Sequence, residues 1–243
     1  MALYDDYLTT AELQRWILDT EVGWDRVNID LAREQPELLD QLRDAALIES
    51  YFPVYTIAIM RACWDQVDVT SVFSIQLYES YKHFHALNRY LELVGHRPIE
   101  DREIVELRRR NTGFQVTDAV AELARYMISE HFAAYFFLRA SRQAREPVLA
   151  ELTGFISRDE FRHTQFATDL LEARIRDQGD ARRAVLETGL TFRHFGHDAI
   201  GSVPIVEKND LAAILTLNRR IKRLCGVSLA EYAKESLNER ERA

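Results

Sequence analysis

The sequence predicts an all-α fold, and two observations carry this prediction. The chain has 243 residues but only nine Gly and five Pro, and so few helix breakers fit long helices better than a many-stranded sheet. Helix start and stop signals also enclose stretches whose apolar residues recur at helical spacing. We expect a single domain over residues 1–243, because the length suffices for one large core and no long linker divides the chain.

Capping residues and prolines predict the first two helices. Thr9 and Glu12 form a capping-box pattern, which predicts a helix over residues 9–22 that contains Trp16 and Val22. The second helix is expected to begin near Pro36, since proline suits a first helical turn. Pro53 lies inside this helix and predicts a kink or the loss of one backbone hydrogen bond.

Glycine, arginine and threonine signals predict the later helices. Gly95 is the expected stop of the third helix, Arg108–Arg110 the end of a shorter fourth helix, and Thr117 the cap of a long fifth helix. The predicted helical ranges after the second helix are 70–94, 98–110, 117–145, 147–176, 180–195, 210–225 and 228–237, with 196–204 as the clearest late loop.

Glutamates and histidines lie on the apolar stripes of four predicted helices at matched intervals. These candidates are Glu49, Glu79, His83, Glu130, Glu160 and His163. In each half of the set, 30 residues separate the first glutamate from the second, and a histidine follows the second by three or four residues. Thirty residues is about the path along one helix, through a turn and back, so the pattern predicts two helical hairpins.

A metal centre explains acidic groups at such positions, because a buried carboxylate without a partner is costly. Four carboxylates and two imidazoles from four helices are the ligand set of di-iron and di-manganese carboxylate bundles. We therefore predict a ferritin-like four-helix core over about residues 36–176, with flanking helices. The expected cofactor is two Fe ions (Fe2+/Fe3+) per chain, with Mn as the alternative. Solvated glutamates and hydrogen-bonded core histidines are the competing interpretation.

Several short runs match the patterns of one known family. They are Glu49-Ser50-Tyr51-Phe52-Pro53-Val54-Tyr55, Tyr78-Glu79-Ser80-Tyr81-Lys82-His83, Leu87-Asn88-Arg89-Tyr90-Leu91, Arg142-Gln143-Ala144-Arg145 and Asp159-Glu160-Phe161-Arg162-His163. In these runs the chain resembles the soluble acyl-ACP desaturases (fatty acid desaturase type 2), over about residues 42–171.

The resemblance implies a homodimeric di-iron enzyme that activates O2 and introduces a double bond into a fatty acyl chain on acyl carrier protein. Electrons would come from a ferredoxin-like donor. The implied ligands are Glu49, His83, Glu130, Glu160 and His163, and Asp159 is implied to orient a ligating histidine.

Two positions depart from the family pattern. Ser80 stands where the family has a bridging glutamate, so either Glu79 substitutes for it or the site lacks one ligand. Ala133 stands where plant members have a threonine one turn after the third-helix glutamate, which would alter proton delivery to bound oxygen. The alternatives are a di-iron hydroxylase or N-oxygenase of a small metabolite, a metal-binding protein without oxygen chemistry, and a metal-free helical interaction protein.

Charge and composition limit the partners. The net charge of -8 argues against nucleic acid, but a basic patch could receive an acidic carrier protein. That candidate patch consists of Arg108, Arg109, Arg110, Arg139, Arg142 and Arg145, which are equally well explained as solvated helix ends.

No run of about 18 apolar residues predicts a membrane span, and the first ten residues do not resemble a signal peptide. Because Cys63 and Cys225 form no CxxC pair, we expect no disulfide framework and a cytoplasmic, reducing location.

Aromatic residues near the predicted ligands have two interpretations. They either line an apolar substrate channel or belong to the core, as helical aromatic stripes usually do. They are Tyr51, Tyr55, Phe132, Tyr135 and Phe136. Trp64 is expected to be mainly a core residue, with a place in an electron path as the alternative.

Overall fold

The computed structural model describes residues 2–201 and 210–242, and within these ranges it is helical with no strand. The all-α prediction is confirmed. The helices are α1 (Leu3–Gln14), α2 (Ile29–Arg33), α3 (Pro36–Ala62), α4 (Val67–Val94), α5 (Asp101–Arg110), α6 (Ala119–Gln143), α7 (Pro147–Asp177), α8 (Ala181–Leu190), α9 (Gly196–Ile200), α10 (Leu211–Cys225) and α11 (Leu229–Arg242), and a 3-10 turn spans Trp24–Arg26.

Four long helices form the bundle core. The helix α3 packs along α4, and α6 packs along α7, while α4 also contacts α7 and α3 contacts α6. These are the two predicted hairpins, each closed by a short turn over residues 63–66 or 144–146. The short α5 lies in the connection between the hairpins, and α1, α8 and α10 cover the outside of the bundle. The arrangement is a ferritin-like helical bundle with flanking helices.

The helix α3 runs without interruption through Pro53. Because the proline nitrogen carries no hydrogen, the carbonyl of Glu49, four residues earlier, lacks its usual donor within the helix. One broken backbone bond, as the sequence predicts, therefore lies at a candidate ligand residue.

The connection after α4 is fixed by backbone geometry and one side chain. Gly95 adopts φ +68°, and His96 N–H donates to Leu91 C=O (2.8 Å), which is the Schellman form of helix end. The amide of Asn88 then donates to Ile99 C=O (3.1 Å) and accepts from Ile99 N–H (2.6 Å). The chain leaving the first hairpin is thereby held against α4.

The predicted start of the first helix is wrong. The helix α1 already begins at Leu3 and ends at Gln14, so Thr9 and Glu12 lie inside it and form no cap. Asp5 and Asp6 occupy its first turn, where carboxylates favour the positive end of the helix dipole. The apolar residues Trp16 and Val22, which suggested a longer helix, are instead buried from the segment that follows it.

Two later boundaries also differ from the prediction. Asp118 rather than Thr117 caps α6, since its side chain accepts from the N–H groups of Val120 and Ala121. The helix expected over 180–195 ends at Leu190. Residues 196–200 of the expected loop form the short helix α9, and residues 202–204 lie outside the described part of the chain.

Two further expectations concern the whole fold. Cys63 and Cys225 are buried and unpaired with each other. Among the described helices, none combines the length and apolar character that a membrane-crossing segment requires.

Candidate metal centre

Glu49, His83 and Glu160 converge at one buried point of the bundle. They come from α3, α4 and α7, and a potential ligand atom of each lies within 4.8 Å of the others. The His83 Nδ1 atom lies 2.9 Å from Glu160 Oε1 and 3.9 Å from Glu49 Oε2. Two donors at right angles on one ion, each about 2.1 Å from it, lie about 3.0 Å apart. The spacing of this first ligand group therefore fits a metal ion.

The unpaired polar atoms of the centre support the same interpretation. Glu49 Oε2, His83 Nδ1 and Glu160 Oε1 are buried and make no hydrogen bond among the described residues, since the short contact between His83 Nδ1 and Glu160 Oε1 lacks hydrogen-bond geometry. Buried polar atoms are nearly always paired, and an orphan group needs an explanation. These three atoms are the facing atoms of the first ligand group, and a cation would satisfy all of them.

Glu130, Glu160 and His163 form a second ligand group beside the first. The His163 Nδ1 atom lies 2.7 Å from Glu160 Oε2 and 3.2 Å from Glu130 Oε2. Glu160 thus directs one carboxylate oxygen to each group, as a carboxylate shared between two ions would. The structure brings together five of the six predicted ligands in this way.

Glu79, the sixth predicted ligand, belongs to neither group. Its Oε2 accepts from His163 Nε2 (2.7 Å), on the side of the imidazole opposite the ligand group, and its Oε1 accepts from Arg162 (2.7 Å). Asp159 has the equivalent contacts on the other side, because its Oδ2 accepts from His83 Nε2 (3.0 Å) and its Oδ1 from the same Arg162 nitrogen (2.8 Å). Glu79 and Asp159 thus hold the two histidines with Nδ1 facing inward.

An alignment within the chain explains this placement of Glu79. A shift of 80 residues places the run that begins at Glu79 on the run that begins at Asp159, and it then matches His83 with His163. Ser80 becomes the counterpart of Glu160. The spacing of 81 residues that pairs Glu79 with Glu160 is one position out of register with the histidines.

Burial and crowding perturb the titration of the centre. Burial, reinforced by the Glu160 charge, raises the pKa of Glu49 to about 8, and the same two causes raise the pKa of Glu130 well above its ordinary value. Burial also opposes ionisation of Glu160, but His163 and His83 outweigh it and hold the pKa of Glu160 well below its ordinary value. Burial lowers the pKa of His83, yet Glu160 and Asp159 outweigh it and raise that pKa to about 9. The positive charge nearby is too small to keep Glu49, Glu130 and Glu160 all ionised, and bound cations would supply the missing charge.

Several polar residues at the centre escaped the sequence analysis. Trp16 Nε1 donates to Asp159 Oδ2 (2.7 Å), and Lys82 Nζ lies 3.6 Å from the same oxygen. Tyr7 OH donates to Glu79 Oε2 (3.3 Å). The alignment at 80 residues could have found Lys82, which matches Arg162, but no sequence signal places the residues of α1 and its following segment here.

The α6 wall of the centre is apolar. Leu123, Met127, Ala134 and Phe137 share the α6 face of Glu130 and are at most 1% exposed. Of the candidate channel aromatics, Tyr51, Tyr55, Phe132 and Phe136 are buried in the hydrophobic core and Tyr135 packs against it, as the core interpretation expects. Trp64 is 79% exposed, so its expected place in the core is wrong.

The six candidate arginines form two separate groups. Arg108 donates to Ser50 C=O (2.9 Å) and Tyr81 OH (2.6 Å), so its guanidinium is engaged within the fold. Arg145, near the end of α6, donates from its backbone to Gln35 Oε1 beside the start of α3. Fifteen residues of α3 separate Ser50 from Gln35, which corresponds to about 22 Å. The arginines therefore do not form one compact patch.

A cleft of about 880 Å3 opens between α1, the segment after it and α4. Leu8, Ile17 and Tyr78 line its apolar part, and Trp16 and Glu79 lie at its inner side. It reaches Glu79, which holds His163 from outside, but none of the five converging ligands.

The fold is similar to that of solved metal-dependent oxidases. An R2-like ligand-binding oxidase variant with an anaerobically reconstituted Mn/Fe cofactor matches with a TM-score of 0.64 at 16% identity, over 94% of each chain. A second variant of this oxidase, with an aerobically reconstituted Mn/Fe cofactor, matches with a TM-score of 0.56 at 15% identity, over 100% of this chain and 93% of the other. The R2-like ligand-binding oxidase from Sulfolobus acidocaldarius matches with a TM-score of 0.56 at 13% identity, over 95% and 93%.

At these identities the similarity shows the fold. No protein-family model matches the chain, and a comparison with curated proteins gives no match.

Proposed function

We propose that the chain is an O2-dependent oxidoreductase with two metal ions, iron or manganese, in the bundle core. The observation that carries this proposal is the pair of buried ligand groups that share Glu160. Each group offers one imidazole and two carboxylates, which suit iron and manganese. Proteins of the same fold with Mn/Fe cofactors add support.

The proposed ligands have distinct roles. Glu49 and His83 hold one ion, Glu130 and His163 hold the other, and Glu160 is shared between them. When bound, the ions would activate O2, and O2 would be the oxidant that takes electrons from a substrate bond. Asp159 and Glu79 fix the histidine orientations, and the apolar α6 face around Glu130 excludes water.

Metal analysis of the purified protein tests the proposal. Iron content and a Mössbauer spectrum should show two coupled ions per chain. Glu160→Ala should lose both ions, because each ligand group depends on this carboxylate. The matched control is Glu151→Ala, which changes an exposed glutamate of the same helix. Two irons per chain in Glu160→Ala would refute the assignment of Glu160.

Oxygen chemistry needs a separate measurement. Mixing the reduced, metal-loaded protein with O2 in a stopped-flow instrument should produce a transient absorbance change, which Glu160→Ala should lack. A metal-loaded protein that shows no such change would be a metal-binding protein without oxygen chemistry.

For the substrate, we propose a fatty acyl chain, with desaturation on acyl carrier protein as the specific reaction. The family-like runs around Glu49, His83 and His163 support it. The division of the arginines into two groups weakens the case for a carrier-protein dock. Gas chromatography of total fatty acids from cells that express the chain should show a new double bond. A hydroxylated product would instead favour the hydroxylase alternative.

A further inference from the structure

Gln76 is a fully buried amide that faces the second ligand group. It lies on α4, one turn before Ser80 and two turns before His83, and so shares their helix face. Its Nε2 atom lies 3.0 Å from His163 Nδ1 and 3.4 Å from Glu130 Oε2. The amide group therefore lies next to two ligand atoms of one proposed ion.

The position of Ser80 explains why room exists for this amide. Ser80 matches Glu160 in the alignment of the two halves, so α4 lacks the carboxylate that α7 supplies. The Ser80 hydroxyl is short, and Gln76 Nε2 donates to its oxygen (3.3 Å). The Gln76 amide thus lies beside the short side chain that α4 has in place of a glutamate.

We propose that Gln76 is a ligand, through Oε1, of the ion held by Glu130, Glu160 and His163. This inference rests on the proposed metal centre. Amide oxygens bind the same hard divalent cations as carboxylates. Gln76 therefore replaces, with a neutral donor, the carboxylate that Ser80 does not provide.

A half-turn of the amide brings its oxygen to the ligand group, and the surroundings accept both orientations. With Nε2 inward, the amide oxygen faces Tyr7 OH, 3.5 Å away. After the turn, Tyr7 can accept from the amide nitrogen and still donate to Glu79 Oε2 (3.3 Å). The Ser80 hydroxyl can then donate to the inward amide oxygen. Tyr7, Glu79 and Ser80 thus keep a partner in both orientations, and the ion would replace the amide nitrogen beside His163 Nδ1 and Glu130 Oε2.

The neutral ligand makes the two ion positions unequal. Glu49, Glu130 and Glu160 provide three negative charges for two divalent ions, and Gln76 adds none. Beyond them, the charges of Lys82 and Arg162 balance those of Glu79 and Asp159. We expect the ion next to Gln76 to bind more weakly than a fourth carboxylate at this position would allow.

Mn2+ titration of the metal-free, full-length protein tests the inference, with EPR detection of the free ion. The wild type should bind two Mn2+ per chain. Gln76→Leu should weaken the second binding event at least tenfold and change the first less than threefold. Gln76→Glu should strengthen the second event at least tenfold, because it adds a charged ligand at the same place.

A buried substitution away from the centre provides the control. Thr153→Val removes a buried hydroxyl of α7 that donates within its own helix, to Leu149 C=O (2.7 Å), and should leave both events unchanged. Gln76→Glu keeps the test decisive if Gln76→Leu folds poorly.

The outcomes separate the inference from the proposed function. Two Mn2+ ions in the wild type, with affinities within twofold of it in both Gln76 variants, would overturn the role of Gln76 alone. A folded wild type that binds no Mn2+ would overturn the metal centre and this inference together.

Discussion

At the residue scale, the candidate metal centre includes two carboxylates that contact its histidines from outside the ligand groups. Asp159 and Glu79 each accept from the Nε2 of a histidine on the opposite helix, and Arg162 contacts both. This contact fixes the tautomer that leaves Nδ1 free for a metal. The outer carboxylates are therefore as much a part of the centre as the converging ligands.

Asp159→Asn should weaken binding of the ion next to His83. The amide can keep the shape of the carboxylate but no longer raises the basicity of the imidazole, so affinity should fall by about 10- to 100-fold. Competition with a chromophoric chelator measures the change. Asp169→Asn, on the same helix but away from the centre, should bind like the wild type, and equal affinity in both variants would contradict the role of Asp159.

His194 predicts an acid-sensitive contribution to stability. Burial lowers the pKa of His194 from 6.5 to about 3, and its Nδ1 accepts from Gly196 N–H (3.0 Å). Because the folded pKa lies below the unfolded one, its contribution is complete above pH 6.5 and decreases as the pH falls toward 3. The loss should be about 1.4 kcal/mol for each pH unit within this window.

Urea unfolding at pH 7, 6 and 5 measures this dependence. His194→Asn keeps an acceptor near Gly196 but removes the titration, so its stability should fall less steeply with acid than that of the wild type. Parallel pH profiles for the two proteins would exclude His194 as a source.

At the element scale, the glycine that ends α4 should contribute to the stability of the fold. Gly95 has φ +68°, and an added Cβ would lie 2.7 Å from the Arg33 guanidinium. Gly95→Ala should therefore destabilise the fold by about 1 to 2 kcal/mol in urea unfolding. Gly113→Ala is the matched control, since Gly113 has open space around its Cβ position and should be neutral or slightly stabilised. Equal stability of the two variants would contradict the account of this helix end.

The sequence predicts the long helices better than their first residues. Pro36, Gly95 and Pro147 mark boundaries by rules that hold whatever the tertiary contacts. Thr117 and Asp118 are both good caps, and only the final backbone conformation selects between them. Trp16 is buried from the non-helical segment after α1, so an apolar residue at this position does not indicate a helix.

The candidate site is likewise predictable only in part. The glutamates on apolar stripes identify four helices and five converging side chains, since a carboxylate at such a position needs a partner. The contacts of Gln76 and Trp16 depend on how α1 and α4 pack against α7, which no local pattern encodes. Glu79 shows the limit most clearly, because its spacing resembles that of a ligand while its helix face directs it at Arg162.

At the scale of the whole molecule, we propose that the chain unfolds as one unit that bound ions stabilise. A ligand that binds only the folded state adds about 2.7 kcal/mol at 100 times its dissociation constant. Thermal unfolding with added Mn2+ should thus give one transition at a raised midpoint. Glu160→Ala should unfold at the same temperature with and without Mn2+. Two separate transitions in the wild type would contradict a single folding unit.

Pro53 removes a backbone hydrogen bond from the middle of α3, and neither helix of the second hairpin has such a gap at an interior proline. The Glu49 carbonyl has no helical donor, whereas the interiors of α6 and α7 contain no proline. Helices bend preferentially at such positions. We therefore expect Glu49 to be the ligand that is displaced most easily when ions of different radius bind. Glu130 and Glu160, on helices without an interior proline, should move less.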